Sequence, residues 1–543
     1  MIRNRQSTMA ALFLAASLAA PPAVRGQEAP AAPDRPTLEL NLEETVKRAL
    51  ENNVDIAVER HRPQSSAETV REAQGAYEPL LFSTITQRSQ TDPARNAFAG
   101  AAEVNTDTTT YNFGVAQYLP TGADLQVSFN NNRSDTNSIF TTFNPAFGSS
   151  FNIDVTQPLL RNFAIDFSRQ QIRVAKKNRE ISDVQFRQTV VNTVANVRHL
   201  YYDLIYAIDN LEAQRKSLAL AQKLLDENQI KVRVGTMAPL DVVEAEAEVA
   251  GREETVIVAE AALAEAEDAL KRAIFAQNDP EMWATRIVPS DRPTAEAIQV
   301  DTGAAIQRAL ENRTDIVAAR KGLENADILV KFNRNQALPA INVVASYGSS
   351  GVGGTFIERE GLGGDVIRTI PGGYGDAISS VFGRDYPTWS FGVNISYPVF
   401  NRAGAAAAAR ARVNRDQTLA SLRRLEMQVT VEVRAAARAV DTNFKRVEST
   451  RAARVFQERR LDAEEKRFAA GMSTNFFVTQ AQRDLAVAEV AELRAIAEYR
   501  KSMVDFERVQ EAGFSGAGGV GTVSTGSGGG TSTAGGGLSG GGQ

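Results

Sequence analysis

The chain is written twice. Arg48 to Ile56 reads RALENNVDI and Arg308 to Ile316 reads RALENRTDI, with seven of nine positions identical at an offset of 260. The same offset lays Pro79 on Pro339, each after a helical stretch and before a β-rich one. Further on, TQPLLRNF (from Thr156) aligns loosely with SYPVFNRA (from Ser396), Pro158 on Pro398. VRVGTMAPLDVVEAEAEV (from Val232) answers FAAGMSTNFFVTQAQRDL (from Phe468), Gly235 on Gly471. Each copy therefore runs short helix, helix, strands, long helix, glycine turn, return helix, a repeat that constrains the fold more than any composition figure.

The long helices can be measured. Ser168 to Val234 holds neither Pro nor Gly, a run of 67 residues, or roughly 100 Å of α-helix. Val190, Val194, Val197, Tyr201, Leu204, Ile208, Leu211, Leu218 and Leu225 alternate 4/3 in spacing, interrupted by Arg215 and Gln222, which predicts coiled-coil packing. The return helix, Leu240 to Ala276, carries 11 Ala and eight Glu, strongly helix-forming yet thinly apolar. Arg410 to Ala470 and Thr479 to Gln510 repeat the hairpin with more Arg. Neither hairpin can bury its seam alone, so both need neighbours.

The strand segments alternate bulky apolar with small or polar residues: Thr108–Leu119, Asp124–Asn130, Ser150–Thr156, Ile341–Tyr347 and Thr388–Tyr397, with Leu80–Thr86 fitting less cleanly. Such alternation gives one face to an apolar phase and the other to water, and lengths near ten residues suit a tilted transmembrane strand. Pro120-Thr121-Gly122 reads as a tight turn, whereas Gln87–Asp107, Asn131–Ser149 and Gly348–Pro387 read as long loops. A soluble sandwich is the bland alternative.

Arg3 and Arg5 precede an apolar run, Met9 to Ala20, then Pro21-Pro22 and Val24-Arg25-Gly26, the pattern of a secretory leader over residues 1–26. Its removal takes the formal charge from −5 to −8. Residues 27–37 read as a linker, 38–290 and 291–512 as the two repeats, and 513–543, with 15 Gly in 31 residues, as a tail unable to bury a core. With no Cys and only His61 and His199, thiolate metal sites, disulfides and a cysteine-borne lipid anchor are excluded. Near-balanced charge gives nucleic acid no footprint. GSSGVGG (348–354) lacks the Lys and helix of a phosphate loop and reads as a plain loop. His199 reads as a surface or interface residue, and Glu244, Glu246, Glu248, Glu253 and Glu254 as solvated helix faces. No nucleophile–base pair or metal spacing appears, so no catalysis, cofactor or metal is expected.

The duplicated plan, RALENN/RALENR, QPLLRNF and the two glycine turns resemble the TolC family of outer-membrane efflux proteins over about residues 38–510. The resemblance implies a mixed α/β membrane protein. Three identical chains would share one transmembrane β-barrel in the outer membrane of a Gram-negative bacterium, continuing into a periplasmic α-helical coiled-coil tunnel closed at its tip. It implies outer-membrane lipid, a periplasmic adaptor protein and, indirectly, an inner-membrane transporter as partners, in an efflux pump or type I secretion system. A few strands per chain cannot close a barrel without leaving edges unpaired in lipid, which agrees with shared closure. The hairpin tips, Arg233, Val234, Gly235 and Thr236 in the first copy and Ala470, Gly471, Met472 and Ser473 in the second, would then receive the adaptor, although both glycines could serve only to reverse the chain. Asp241 is a gate candidate, or simply an acid at a helix N-terminus. Where some family members carry an acidic ring on the second hairpin, this chain has Phe477 and Gln480, which points to a more apolar constriction. The first copy also departs from the two strands per copy of the family: Thr108–Asn130 adds a hairpin. That raises the count to six strands per chain and 18 per trimer instead of 12, unless the hairpin stands above the membrane. The competing reading is a secreted coiled-coil protein with a β-rich adhesive or scaffolding head.

Overall fold

The computed structural model describes residues 36–94, 99–275 and 280–513; the expected leader, most of the linker and the tail beyond Gly513 lie outside the described residues. The first half runs β1 (Thr37–Leu40), α1 (Leu42–Asn52), α2 (Val54–Gln74), β2 (Leu80–Pro93), β3 (Glu103–Tyr118), β4 (Asp124–Thr136), β5 (Phe143–Pro158), α3 (Phe167–Arg233) and α4 (Pro239–Ile274). A short link, α5 (Pro280–Ala284) and β6 (Arg286–Pro289), leads to the second half. There follow α6 (Thr302–Asn312), α7 (Thr314–Gln336), β7 (Ala340–Arg359), β8 (Val366–Ile370), α8 (Tyr374–Gly383), β9 (Tyr386–Ser396), α9 (Arg402–Ala469) and α10 (Asn475–Glu511).

The break between α1 and α2 has a local cause. The Asn53 side chain accepts from the backbone N–H groups of Asp55 and Ile56, ending one helix and capping the next. At the matching place between α6 and α7 stands Arg313, whose side chain caps nothing. It is buried instead, paired with Asp315 and with Glu432 of α9, which ties the second helical pair to its hairpin.

Seven strands form one antiparallel sheet in the order β2-β3-β4-β5-β7, with β9 on the lower and β8 on the upper part of β7. Hence six strands stand side by side near the helices. The added hairpin β3–β4 lies inside the sheet, paired along its length with β2 and β5, not above it. Its turn is pinned: Gly122 has φ +85° and backs onto the Asn162 carbonyl and the Arg169 guanidinium at the start of α3, so a side chain there would meet both backbone strain and atoms. Of the stretches expected as long loops, Gln87–Asp107 and Asn131–Ser149 are mostly strand among their described residues, and Gly348–Pro387 holds the rest of β7, β8 and the helix α8. The GSSGVGG segment too belongs to β7, where Gly351 and Gly353 let the backbone of α8 approach. A row of Cα partners places Ile85, Tyr111, Phe129, Phe151 and Trp389 on one face, and Thr84, Asn112, Asn130, Ser150 and Ser390 on the other. Helix α8 lies on the apolar face, with Tyr374 edge-on to Tyr111 and Phe147.

Burial in the helical part is divided among small clusters. One gathers Leu40, Val197, Tyr201, Leu204, Leu270, Ile274 and Ile287 around the parallel pair β1–β6; another joins Ala305, Ala309, Ile316, Val429 and Val433 in the second half. The seam of α3 departs from the expected register. Below Leu211 the buried line is Ser217, Ala221, Leu224 and Asn228, while Arg215 and Gln222 are exposed. Two three-residue steps through Gln214 to Ser217 rotate the stripe, as a stammer does.

Candidate functional site

The helical hairpins converge at the end of the molecule farthest from the sheet. Both reversals use the same motif. In the first, the Thr236 N–H reaches the Lys231 carbonyl (2.9 Å) and the Gly235 N–H the Val232 carbonyl (3.0 Å). In the second, Met472 reaches Arg467 (2.9 Å) and Gly471 reaches Phe468 (3.1 Å). These pairs of bonds form a Schellman cap, which requires a left-handed residue just past the helix; Gly235 (φ +78°) and Gly471 (φ +73°) supply it. Arg233, Val234, Gly235 and Thr236, with Ala470, Gly471 and Met472, are exposed, and Ser473 is half-buried with its hydroxyl on Glu464.

Just inside the turns the two hairpins are fastened together. Asn228 of α3, fully buried, donates to the Asn475 side chain of α10 (2.9 Å), and Asn475 donates in turn to the Asp241 carbonyl (3.5 Å). Asp241 thus enters the junction through its backbone. The Lys231 ammonium sits 3.6 Å from the Phe468 ring centre, a cation–π contact between the ends of α3 and α9.

Two turns further in, Glu248 joins three helices. Arg483 Nε of α10 lies 2.9 and 3.1 Å from its carboxylate oxygens, Arg252 Nε at 2.8 Å, and Arg252 donates to Ser217 of α3 at 2.6 Å. Glu248 is buried, so it is not the solvated acid its Glu-rich surroundings suggest. Burial alone raises its pKa, but the Arg483 and Arg252 hydrogen bonds outweigh that and hold the carboxyl below its ordinary value. The signal that could have found it is the i, i+4 pair Glu248–Arg252; its partner Arg483, 235 residues away, carries no such signal.

Phe477 is exposed and packs edge-on against exposed Phe476, ring centres 5.5 Å apart. Gln480 donates to Asp484 (2.8 Å), which is held by Arg460 of α9 (2.7 Å). Neither touches Asp241; what the structure brings together instead is Asn228, Asn475 and the Asp241 backbone. His199, half-buried on α3, faces Asp505 of α10 at 3.6 Å.

Residues 45–274 and 305–508 match the family model of the outer membrane efflux protein. The chain belongs to that family. Among curated relatives, it is 22% identical to outer membrane protein TolC of Vibrio cholerae over 390 residues, 68% of this chain and 81% of that protein. Among solved structures, the Campylobacter jejuni CmeC outer membrane channel superposes with TM-score 0.61 at 16% identity, covering 87% of this chain and 85% of the other. The open state of the Neisseria gonorrhoeae MtrE outer membrane channel gives 0.59 at 16% identity, covering 87% and 89%. The family's proteins are outer-membrane efflux channels, and the protein is accordingly an outer-membrane channel component with a long helical extension into the periplasm. The adhesive-head reading gives way to it.

Proposed function

We propose that three copies of the chain form a passive exit duct, the outer-membrane component of a tripartite pump or type I secretion system. The observation that carries this reading is the two-faced sheet, apolar on one side and polar on the other, with the exposed strands β2 and β9 at its free edges. Such edges cannot remain unpaired in lipid, so further copies must supply their partners.

The helices support head-to-tail closure. Within the chain α3 lies against α10, leaving α4 and α9 on the outer flanks. Helix α4 has ten acids and three bases, whereas α9 has 16 bases and nine acids. A net −7 flank meeting a net +7 flank of the next copy forms a heterologous contact that closes into a ring. At the tips, the Asn228–Asn475–Asp241 and Glu248–Arg483 links hold the hairpins in the resting, closed arrangement. The exposed turn residues Arg233–Thr236 and Ala470–Ser473 present the surface for a periplasmic adaptor, and Phe477, with Gln480 above it, lines an apolar constriction. Energy comes from an inner-membrane partner.

Extraction tests the reading. The full-length protein is expected to leave outer membranes only with detergent and to have the mass of three chains. A monomer that stays in solution without detergent would overturn it.

A further inference from the structure

We infer that each copy places six strands, not four, in the barrel wall, so that the trimer closes an 18-stranded barrel whose bore is wider than the helical tunnel beneath it. The trimer itself rests on the function proposed above; the six strands per copy rest on the sheet.

Three observations carry the count. First, β3 and β4 are not an appendage: Leu80 to Pro93 of β2 pairs in unbroken register with Ala116 back to Glu103 of β3, and Asp124 to Ser134 of β4 pairs with Thr156 back to Ala146 of β5. Moving the hairpin out of the wall would strip both ladders and require β2 and β5 to close on each other, a pairing absent from this sheet. Second, the alternation of the inserted hairpin is in phase with its neighbours. Phe113 and Phe129 face the apolar side and Asn112 and Asn130 the polar side, continuous with Phe151 and Ser150 of β5. A hairpin standing in water would need no such match. Third, its turn is docked at the helical end of the wall. Gly122 backs onto Asn162 and Arg169, Ala123 is buried, and Tyr118 stacks on Tyr77 with ring centres 6.0 Å apart. The hairpin therefore crosses the same depth as β2 and β5.

Barrel diameter grows about linearly with strand number, so 18 strands give a diameter about 1.5 times that of 12. Among the described residues four long helices per copy continue below, α3, α4, α9 and α10, so the tunnel does not widen with the barrel. The one helix packed on the sheet among the described residues, α8, covers the apolar side; it thickens the outer wall and leaves the bore clear. The helical section, not the barrel, therefore sets the size limit on cargo.

The test uses the full-length chain, which has no cysteine of its own. Two pairs report the wall, Thr84→Cys with Asn112→Cys (β2–β3) and Asn130→Cys with Ser150→Cys (β4–β5). A third pair, Ala116→Cys with Gln126→Cys (β3–β4), forms in either arrangement and reports folding. Oxidation in outer membranes is expected to close all three, and electron microscopy of the detergent-solubilised oligomer is expected to show six strands per copy and 18 in the ring. A closed third pair with the first two open, or a 12-stranded trimer with the hairpin outside the wall, would overturn the inference. Six strands per copy in a ring of other than three copies would overturn the 18-strand barrel by removing the trimer, and would point to the function reading as the failed premise.

Discussion

At the residue scale the two tip glycines are required by backbone conformation alone. Nothing lies within 4 Å of a side chain added at Gly235 or Gly471, so Gly→Ala costs only the backbone term, about 1–2 kcal/mol for a left-handed alanine. Hydrogen exchange should report the effect locally. In Gly235→Ala, protection of the Gly235-position and Thr236 amides should fall about tenfold while α3 above Leu224 is unchanged. Asn475 is a different kind of position. Asn475→Leu leaves Asn228 buried without its acceptor, a loss of about 1–3 kcal/mol, and should lower the thermal midpoint of the helical section. His199 supplies a pH dependence. Burial lowers its pKa below 6.5, opposed by Asp505 and assisted by Lys501, with Asp203 also nearby. The folded chain thus prefers the neutral ring, and stability falls as pH drops through 6.5, levelling below the folded-state value. Unfolding of wild type and His199→Gln at pH 8 and pH 5 should differ in that sense, the variant losing less.

At the element scale the Glu248 link has the opposite resilience. Its carboxyl titrates below the ordinary range, so its contribution is present above the unfolded value and is lost only as pH falls through the lower folded value. Closure measured from pH 8 down to pH 5 should therefore be flat in wild type, and Glu248→Gln should loosen it at every pH. The same scale shows what was legible. The 67-residue α3 could be read because no Pro or Gly interrupts it, and the strand cores because Tyr111, Phe113 and Val115 alternate with Asn112 and Gly114. The upper halves of the strands could not. Ser89 to Asp92 and Asn105 to Thr108 are polar on both faces, so the ladder that pairs them leaves no hydrophobic period. Strand β1, TLEL, and its partner β6, RIVP, are four residues each and 249 apart at their first residues, with nothing local to announce a pairing. The tip turns were legible from the glycines, whereas Asn228–Asn475 and Glu248–Arg483 are long-range pairs between ordinary-looking helix positions.

At the scale of the whole molecule, the ring proposed above, with an acidic α4 flank meeting a basic α9 flank, is expected to assemble in a salt-sensitive way. Raising ionic strength from 0.05 to 0.5 M shortens the screening length several-fold and should slow association of detergent-solubilised chains, because the opposed flanks steer encounter more than they add final affinity. Reversing exposed acids of α4, as in Glu253→Lys with Glu254→Lys, should slow it further at low salt and remove most of the salt effect. Single-channel conductance in a planar bilayer, comparing wild type with Glu248→Ala/Asn475→Ala, shows whether the proposed duct is closed where the hairpins are fastened to each other. Small, fluctuating conductance in the wild type and a several-fold larger, steadier one in the variant is the expected result. Equal conductances would contradict the assignment of the gate to these links, and the absence of any channel from intact trimers would contradict the duct itself.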